Sequence, residues 1–441
     1  MIRRASLLVL GALIGAMVMA AMRSSLVPAI AANDSSYKEL AVFSDVLDRV
    51  RRQYVTKPDD DKLVEAAING MLTSLDPHSS YMNAKDADDM RSDMKGEFGG
   101  LGIQVTMDND LVKVIAPIDG TPAAKAGVLS GDYITEIDGQ SVQGMKLQDA
   151  VEKLRGPVNT PIKLTLVRAG VDDPIKLTIL RDIISVDAVK SRVEGDVGYL
   201  RIISFTEKTY PDFEKAIQTI KNTVPADKLK GYVIDLRLNP GGLLNQAVEV
   251  ADAVLDHGEI VSVRGRNADE TRRFEAAPGD LTDHKPIIVL INGGSASASE
   301  IVAGALQDLH RATILGTRSF GKGSVQTIIP LGDDNGQLRL TTALYYTPSG
   351  RSIQGTGITP DIKLEEPLPD DMKGKVESSG ESALRGHIKG QSETDEGSGS
   401  ISYVPPDPKD DVQLHEALDL LRGQKTDKAF PPTPSSAASS Q

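Results

Sequence analysis

Three glycine-rich turns in this 441-residue chain deliver groups capable of chemistry. In the first, the apolar run Ile287–Ile291 leads through Asn292-Gly293-Gly294 into Ser295-Ala296-Ser297-Ala298-Ser299-Glu300 and an apolar helical stretch through Leu309. This strand–turn–helix pattern sets serine hydroxyls at a helix N-terminus, where main-chain N–H groups lack intrahelical partners and the macrodipole favours an oxyanion. The same residues also read as a simple cap, because Ser is a preferred N-cap and Glu300, three residues after Ser297, completes a capping box. The second turn runs from Gly316 through Lys322 to Gln326. It matches G-x-x-x-x-G-K, but Gly323 stands where a phosphate loop needs a Mg²⁺-binding hydroxyl, and Val325–Ile328 reads as strand rather than helix, which argues against a nucleotide. Taken singly, Lys322 is an ordinary solvated lysine and Gln326 a surface amide, the two sharing one face of a strand. The third turn, Asn239-Pro240-Gly241-Gly242, follows the strand Tyr232–Leu238 and opens the helix Leu244–Leu255. Open α/β sheets place ligand sites at such strand ends, although Pro and Gly also make a tight turn with no further role.

These turns need elements to position them. From Tyr37 to about Lys95 apolar residues recur every three or four positions, as in Leu40, Phe43, Val46, Leu47 and Val50, which is a helical period. Strand-like runs punctuated by Gly, Pro and Asp occupy Gly96 to about Arg181 and indicate a compact β-rich module. From Val197 to about Ile362 strands alternate with helical stretches, the pattern of a largely parallel sheet with crossover connections. The expected organisation is therefore an N-terminal segment 1–32, a helical domain 33–95, a β-rich domain 96–181 and an α/β core 182–365. After Glu365 the chain is rich in Lys, Glu, Ser, Gly and Pro, so residues 366–441 read as a largely disordered tail with one short helix over 411–422, whose amphipathic stretch Val412 to Leu421 is a candidate to dock.

Composition removes several function classes. A net charge of −13 opposes a phosphate-backbone partner, so nucleic acid is not expected. With no cysteine there are no disulfides, thiol nucleophiles or thiolate metal sites. No H-x-x-x-H pair exists either, so neither a metal nor a cofactor is called for. Arg3 and Arg4 precede an apolar run from Leu7 to Met22, followed by Ala29-Ile30-Ala31, which reads as an export signal with an uncleaved anchor as the alternative. The six histidines, His78, His257, His284, His310, His387 and His415, lie in no recognisable triad motif, and a histidine base stands as the rival to a lysine one.

Four features agree in order and spacing: Asp76-Pro77-His78-Ser79-Ser80-Tyr81, the β-rich module, Asn239-Pro240-Gly241-Gly242, and the Ser297 segment with Lys322 placed 25 residues later. The module carries Gly99-Gly100-Leu101-Gly102-Ile103, Pro122-Ala123-Ala124-Lys125-Ala126-Gly127-Val128, Gly131-Asp132-Tyr133-Ile134 and Ile137-Asp138-Gly139, a PDZ-like pattern. With these features the chain resembles the C-terminal processing peptidases, or tail-specific proteases, from about Tyr37 to Ile362. The resemblance implies an α/β multidomain fold: a crotonase/ClpP-like α/β peptidase core with an inserted β-rich PDZ domain and an N-terminal helical domain. It further implies Ser297 as nucleophile, Lys322 as base, Gln326 orienting the lysine, and an oxyanion hole from the Ala298 N–H with that of Gly241 or Gly242. Gly100, Leu101, Gly102 and Ile103 would capture a C-terminal carboxylate while the substrate tail adds to a sheet edge. Partners implied are protein or peptide substrates recognised by their tails, a homodimer and an adaptor protein. The periplasm, with envelope proteins as substrates, is the expected setting. From another class, a catalytically inactive PDZ scaffold or chaperone would keep the tail recognition alone.

A lysine base must be neutral. At its ordinary titration point, holding it neutral at pH 7 costs about 4.6 kcal/mol, so the pocket is expected to be dry, with Phe320 and Val325 as candidate walls.

Overall fold

The computed structural model describes residues 37–108, 110–332, 335–370, 372–378, 380–391, 393 and 397–432. The segment 1–32, with the export signal or anchor expected there, lies outside them. No helix of the described residues is long and apolar enough to cross a membrane.

The chain divides into two compact units, Met1–Met71 and Leu72–Gln441. The first contains a helix over 37–53 and most of the helix Asp60–Thr73, joined by an Arg51–Asp60 ion pair of 2.8 Å. Its periodic apolar residues Leu40, Phe43 and Val46 remain exposed. The division falls well before the boundary at 95 expected from the helical period. Helix Ala84–Lys95 belongs to the second unit, where Asn83 caps its start and Gly96, at φ 69°, ends it.

The β-rich module is an antiparallel sheet in the order 103–108, 111–117, 133–137, 161–167 and 175–180, with the helix Leu147–Leu154. Its ends are tied by strands Glu97–Gly100 and Asp182–Ser185, which pair antiparallel from Glu97 opposite Ser185 to Gly100 opposite Asp182. Such a clamp is what an inserted domain needs where the chain leaves and re-enters its host.

The host is a six-stranded sheet in the order Val189–Glu194, Val197–Ile202, Gly231–Asp235, Ile287–Ile291, Thr313–Gly316 and Ile362–Lys363, parallel after its first antiparallel pair. Side chains alternate across it. Ile287, Val289 and Ile291 join Phe213, Ile217, Ala247 and Val302, from helices Thr209–Thr223, Leu244–Asp252 and Ala298–Asp308, in the main core. Ile288 and Leu290 point the other way, into a second core with Tyr199, Val233 and Leu315. A second, antiparallel sheet contains Ser80–Met82, Glu259–Gly265, Arg272–Glu275, Ser324–Pro330 and Gln337–Tyr346.

The tail departs from expectation. In place of a largely disordered 366–441, parts of the described segment pack on the core. The helix Val412–Leu421 lays Leu414, Ala417, Leu418 and Leu421 over the second face of the parallel sheet. A sheet buried between two apolar faces needs a cover on both, and this helix is one of them. Its N-cap Asp411 accepts from Leu414 N–H at 2.8 Å and bonds the fully buried Arg237 at 2.7 and 2.9 Å. Arg237 also holds Asp235, at 2.7 and 3.0 Å. The docked helix thus fixes the strand end from which the Asn239–Gly242 turn departs.

Candidate active site

The turn after Ile291 is locked by side chains. Ser295 Oγ donates to Leu236 O at 2.8 Å and Ser299 Oγ to Asn239 O at 3.0 Å. The two flanking serines therefore join this turn to the Asn239 turn. Ser297, between them, makes no capping bond with its side chain. Its backbone sits at φ 55°, ψ −113°, a conformation that costs a non-glycine residue roughly 1–3 kcal/mol and is retained where the surroundings impose it. The Ala298 N–H, next in the chain and first in the helix, has no main-chain acceptor.

Glu300 explains how the serine is held. Of the capping box only one arm forms with side chains: Glu300 Oε2 accepts the Ser297 N–H at 2.8 Å, while the Glu300 N–H bonds the Ser297 carbonyl at 2.9 Å. That leaves the hydroxyl without a hydrogen bond among the described residues. The same Oε2 accepts the Lys322 N–H at 2.9 Å, and Oε1 accepts from Ser319 Oγ at 2.5 Å and Gly321 N–H at 2.6 Å. The backbone nitrogens of Ser297 and Lys322 thus lie within about 6 Å of each other, joined by one oxygen. Ser319 accepts from Ile358 N–H at 2.6 Å, so its own proton is free for Glu300. All four neighbours are donors. Complete burial pushes the Glu300 carboxyl up to about 7, against these four bonds, which favour its ionised form.

Lys322 stands in the turn ahead of the strand Ser324–Pro330, not on one strand face with Gln326. Its ammonium makes no ion pair among the described residues. Burial brings its titration down to about 8, helped by the positive charge of Arg339 and opposed by Glu381, Glu300 and Asp76. Gln326 Nε2 donates to Ser324 Oγ at 3.0 Å and Thr341 Oγ1 at 3.2 Å rather than meeting Lys322. Thr341 Oγ1 in turn donates to Asp76 Oδ1 at 3.1 Å, and Ser79 Oγ to Asp76 Oδ2 at 2.7 Å. Burial pushes the Asp76 carboxyl up, but the bonds from Ser79, His78 and Thr341 prevail and hold it below its usual range. The Asp76–Tyr81 motif therefore supports Gln326 through Thr341.

The Asn239 turn meets Ser297 directly. A β-carbon built on Gly241, whose φ is 100°, would lie 2.9 Å from Ser297 Cβ and 3.0 Å from Ala298 N, so only glycine fits. The Gly241 N–H is already taken by Asn239 Oδ1 at 2.9 Å. The Gly242 N–H has no main-chain acceptor among the described residues, which makes it the available donor of the two. Beside these glycines opens a cavity of about 380 Å³ lined by apolar side chains including Met90, Met94, Phe98, Val186 and Phe205.

In the β-rich module Gly100 closes the strand Glu97–Gly100 and Ile103 begins the next, so only Leu101 and Gly102 form the loop between them. Their carbonyls accept from Ala123 and Ile118 N–H at 2.9 and 2.8 Å, and their own N–H groups have no main-chain acceptor. The strand Ile103–Asp108 is an edge, paired only with 111–117 among the described residues.

Glu300 and Arg237 are the positioning residues that sequence reading passed over. The first was legible only as a cap; the second, within Asp235-Leu236-Arg237, carried no signal beyond a charge at the end of an apolar strand. No histidine forms a hydrogen bond with Ser297 among the described residues.

Comparison with known proteins identifies the family. Residues 196–364 match the model of peptidase family S41, residues 113–168 a PDZ domain, and residues 13–86 the activating protease CtpB N-terminal domain. The chain is 67% identical over 400 residues to the carboxy-terminal-processing protease of Bartonella bacilliformis, covering 91% of this chain and 92% of that one. It is 37% identical over 343 residues to the carboxy-terminal processing protease CtpA of Bacillus subtilis, covering 77% and 71% respectively. Among solved structures, a photosystem II D1 C-terminal processing protease aligns at 30% identity and a TM-score of 0.44, covering 76% of this chain and 95% of that one.

Proposed function

Because this chain belongs to the carboxy-terminal-processing proteases, serine peptidases of family S41 that carry a PDZ domain, we propose that it cleaves protein tails with a Ser297–Lys322 dyad. The observation that carries the reading is the single Glu300 oxygen shared by the Ser297 and Lys322 N–H groups, with both side chains left uncommitted. Neutral Lys322 takes the Ser297 proton as Oγ attacks the scissile carbonyl. The developing oxyanion is met by the N–H groups of Ala298 and Gly242, and loss of one such donor typically costs roughly a hundred- to thousandfold in rate. The lysine ammonium then returns its proton to the leaving amine, and water hydrolyses the acyl-enzyme. Gln326, held by Ser324 and Thr341, keeps its amide oxygen available to orient the lysine.

The substrate is a protein whose C-terminal carboxylate is captured at Gly100–Ile103 and whose tail pairs with the edge strand Ile103–Asp108. The cavity beside Gly242 suits an apolar side chain next to the scissile bond. The basic-then-apolar N-terminus supports an exported enzyme acting on envelope proteins in the periplasm. The test is cleavage of an unfolded protein with an apolar C-terminus by the wild type and by Ser297→Ala. Cleavage by the wild type alone is expected; cleavage persisting in Ser297→Ala removes the nucleophile assignment. A wild type that binds the tail without cutting it identifies a scaffold instead.

A further inference from the structure

The segment after residue 365 reaches the lysine turn itself. Glu381 N–H donates to Phe320 O at 2.9 Å, and Gly399 N–H to Ser319 O at 2.9 Å. The Glu381 side chain is fully buried. Its Oε1 accepts from Gln354 Nε2 at 3.0 Å, and His78 Nε2 lies 3.0 and 2.9 Å from its two oxygens. Gln354 closes the circuit, since its Oε1 accepts the Gly323 N–H at 2.9 Å. Residues 319–323 are therefore held by two networks: by Glu300 from the serine helix, through Ser319, Gly321 and Lys322, and by the Glu381 N–H at Phe320 O together with Gln354, bonded to the Glu381 side chain, at the Gly323 N–H. A buried carboxylate is costly to retain without a role, and this one joins the Asp76–Tyr81 motif, the lysine turn and the tail in one network.

We propose that Glu381 is a positioning residue for Lys322, making the segment after residue 365 part of the active site. This rests on Lys322 acting as the base. The charged groups bearing on Lys322 are Arg339 on strand Gln337–Tyr346, Glu300 on the serine helix, Asp76 before strand Ser80–Met82, and Glu381. Those bearing on Glu381 are His78 and Lys322, with His387 further along the same segment. Of the four groups at Lys322, Glu381 is the one supplied by the tail. Its negative charge favours the lysine ammonium, so its removal eases deprotonation while loosening the turn.

The experiment measures kcat, KM and the pH profile of kcat/KM for full-length Glu381→Gln and Glu381→Asp, with Lys322→Ala as reference and urea midpoints as the check on folding. Glu381→Gln is expected to lower kcat on the order of tenfold with KM nearly unchanged, and to move the acid limb of kcat/KM to lower pH. Glu381→Asp, which keeps the charge and shortens the reach, is expected to lower kcat and leave the limb in place; it carries the test alone if Glu381→Gln does not fold. Wild-type kcat in Glu381→Asp, or a Glu381→Gln enzyme whose limb stays put, overturns the proposal. An active Lys322→Ala would instead overturn the dyad on which it rests.

Discussion

Replacing Glu300 with glutamine separates positioning from stability, because the two effects pull in different directions. The carboxylate accepts four donors at 2.5 to 2.9 Å. A glutamine of the same size offers one oxygen and one NH₂ group, so two of the four donors face another donor. Each stranded buried donor costs about 1–3 kcal/mol, giving a loss of about 2–6 kcal/mol. Against this, burial has raised the carboxyl from 4.5 to about 7. The cost of that raised value is absent below pH 4.5, grows up to pH 7 and is complete above it, at about 3 kcal/mol. A neutral amide escapes it. The net change at pH 8 then runs from a gain of about 1 to a loss of about 3 kcal/mol, whereas the one remaining oxygen can no longer serve all four donors that set the Ser297 and Lys322 turns against each other. A misplacement of about 1 Å costs on the order of a hundredfold in rate. Urea unfolding and steady-state cleavage at pH 8 are therefore expected to diverge, with a modest shift in midpoint beside a kcat reduced about a hundredfold. A folded Glu300→Gln enzyme with kcat within threefold of wild type would refute the positioning argument.

The pH profile follows from the two buried groups: kcat/KM is expected to level off above pH 8, fall with unit slope towards pH 7 as Lys322 protonates, and steepen below it as Glu300 takes a proton that its three main-chain N–H neighbours cannot accept. A profile flat from pH 6 to 9 would contradict a lysine base. Lys322→Arg is expected to show no turnover, since arginine stays charged. Lys322→Met should be inactive yet more stable at pH 7, because the buried ammonium costs about 3 kcal/mol below pH 8, a cost that vanishes as pH rises to 10.5; thermal unfolding across this range checks both the sign and the window. Leu414→Ala, which opens the core between the tail helix and the sheet, is expected to cost about 2–4 kcal/mol in urea unfolding.

The α/β core and the β-rich module were legible because their signals are local. Strand–turn–helix punctuation and the period of apolar residues do not depend on distant partners. The serine and lysine turns were legible as segments, but the bond network that joins them was not. Glu300 has the spacing of a capping box, and nothing in Ser297-Ala298-Ser299-Glu300 reveals that its oxygens also accept N–H groups from more than twenty residues away. The face expected for Lys322 and Gln326 was lost because the strand begins only at Ser324, leaving Lys322 in the turn before it. The dry wall expected from Phe320 and Val325 is only part of what shifts the lysine, because Arg339, from a strand paired opposite, adds its charge.

The tail carries the larger lesson, because the signal that its helix must dock was already present in the core. Ile287-Ile288-Val289-Leu290-Ile291 is apolar at every position, and a strand whose side chains alternate faces needs that only when both faces are dry. Helices 209–223, 244–252 and 298–308 all pack in the core with Ile287, Val289 and Ile291, so Ile288 and Leu290 required a further element. Val412–Leu421, with four apolar residues on one side, was the remaining amphipathic candidate. Once that helix is docked, the chain between Ile362 and Val412 is anchored at both ends. A segment so anchored loses far less entropy on ordering than a free tail, and main-chain and carboxylate bonds suffice to lay it across the lysine turn. Low hydrophobicity therefore says that 366–411 has no core of its own, and nothing local in it says where it binds.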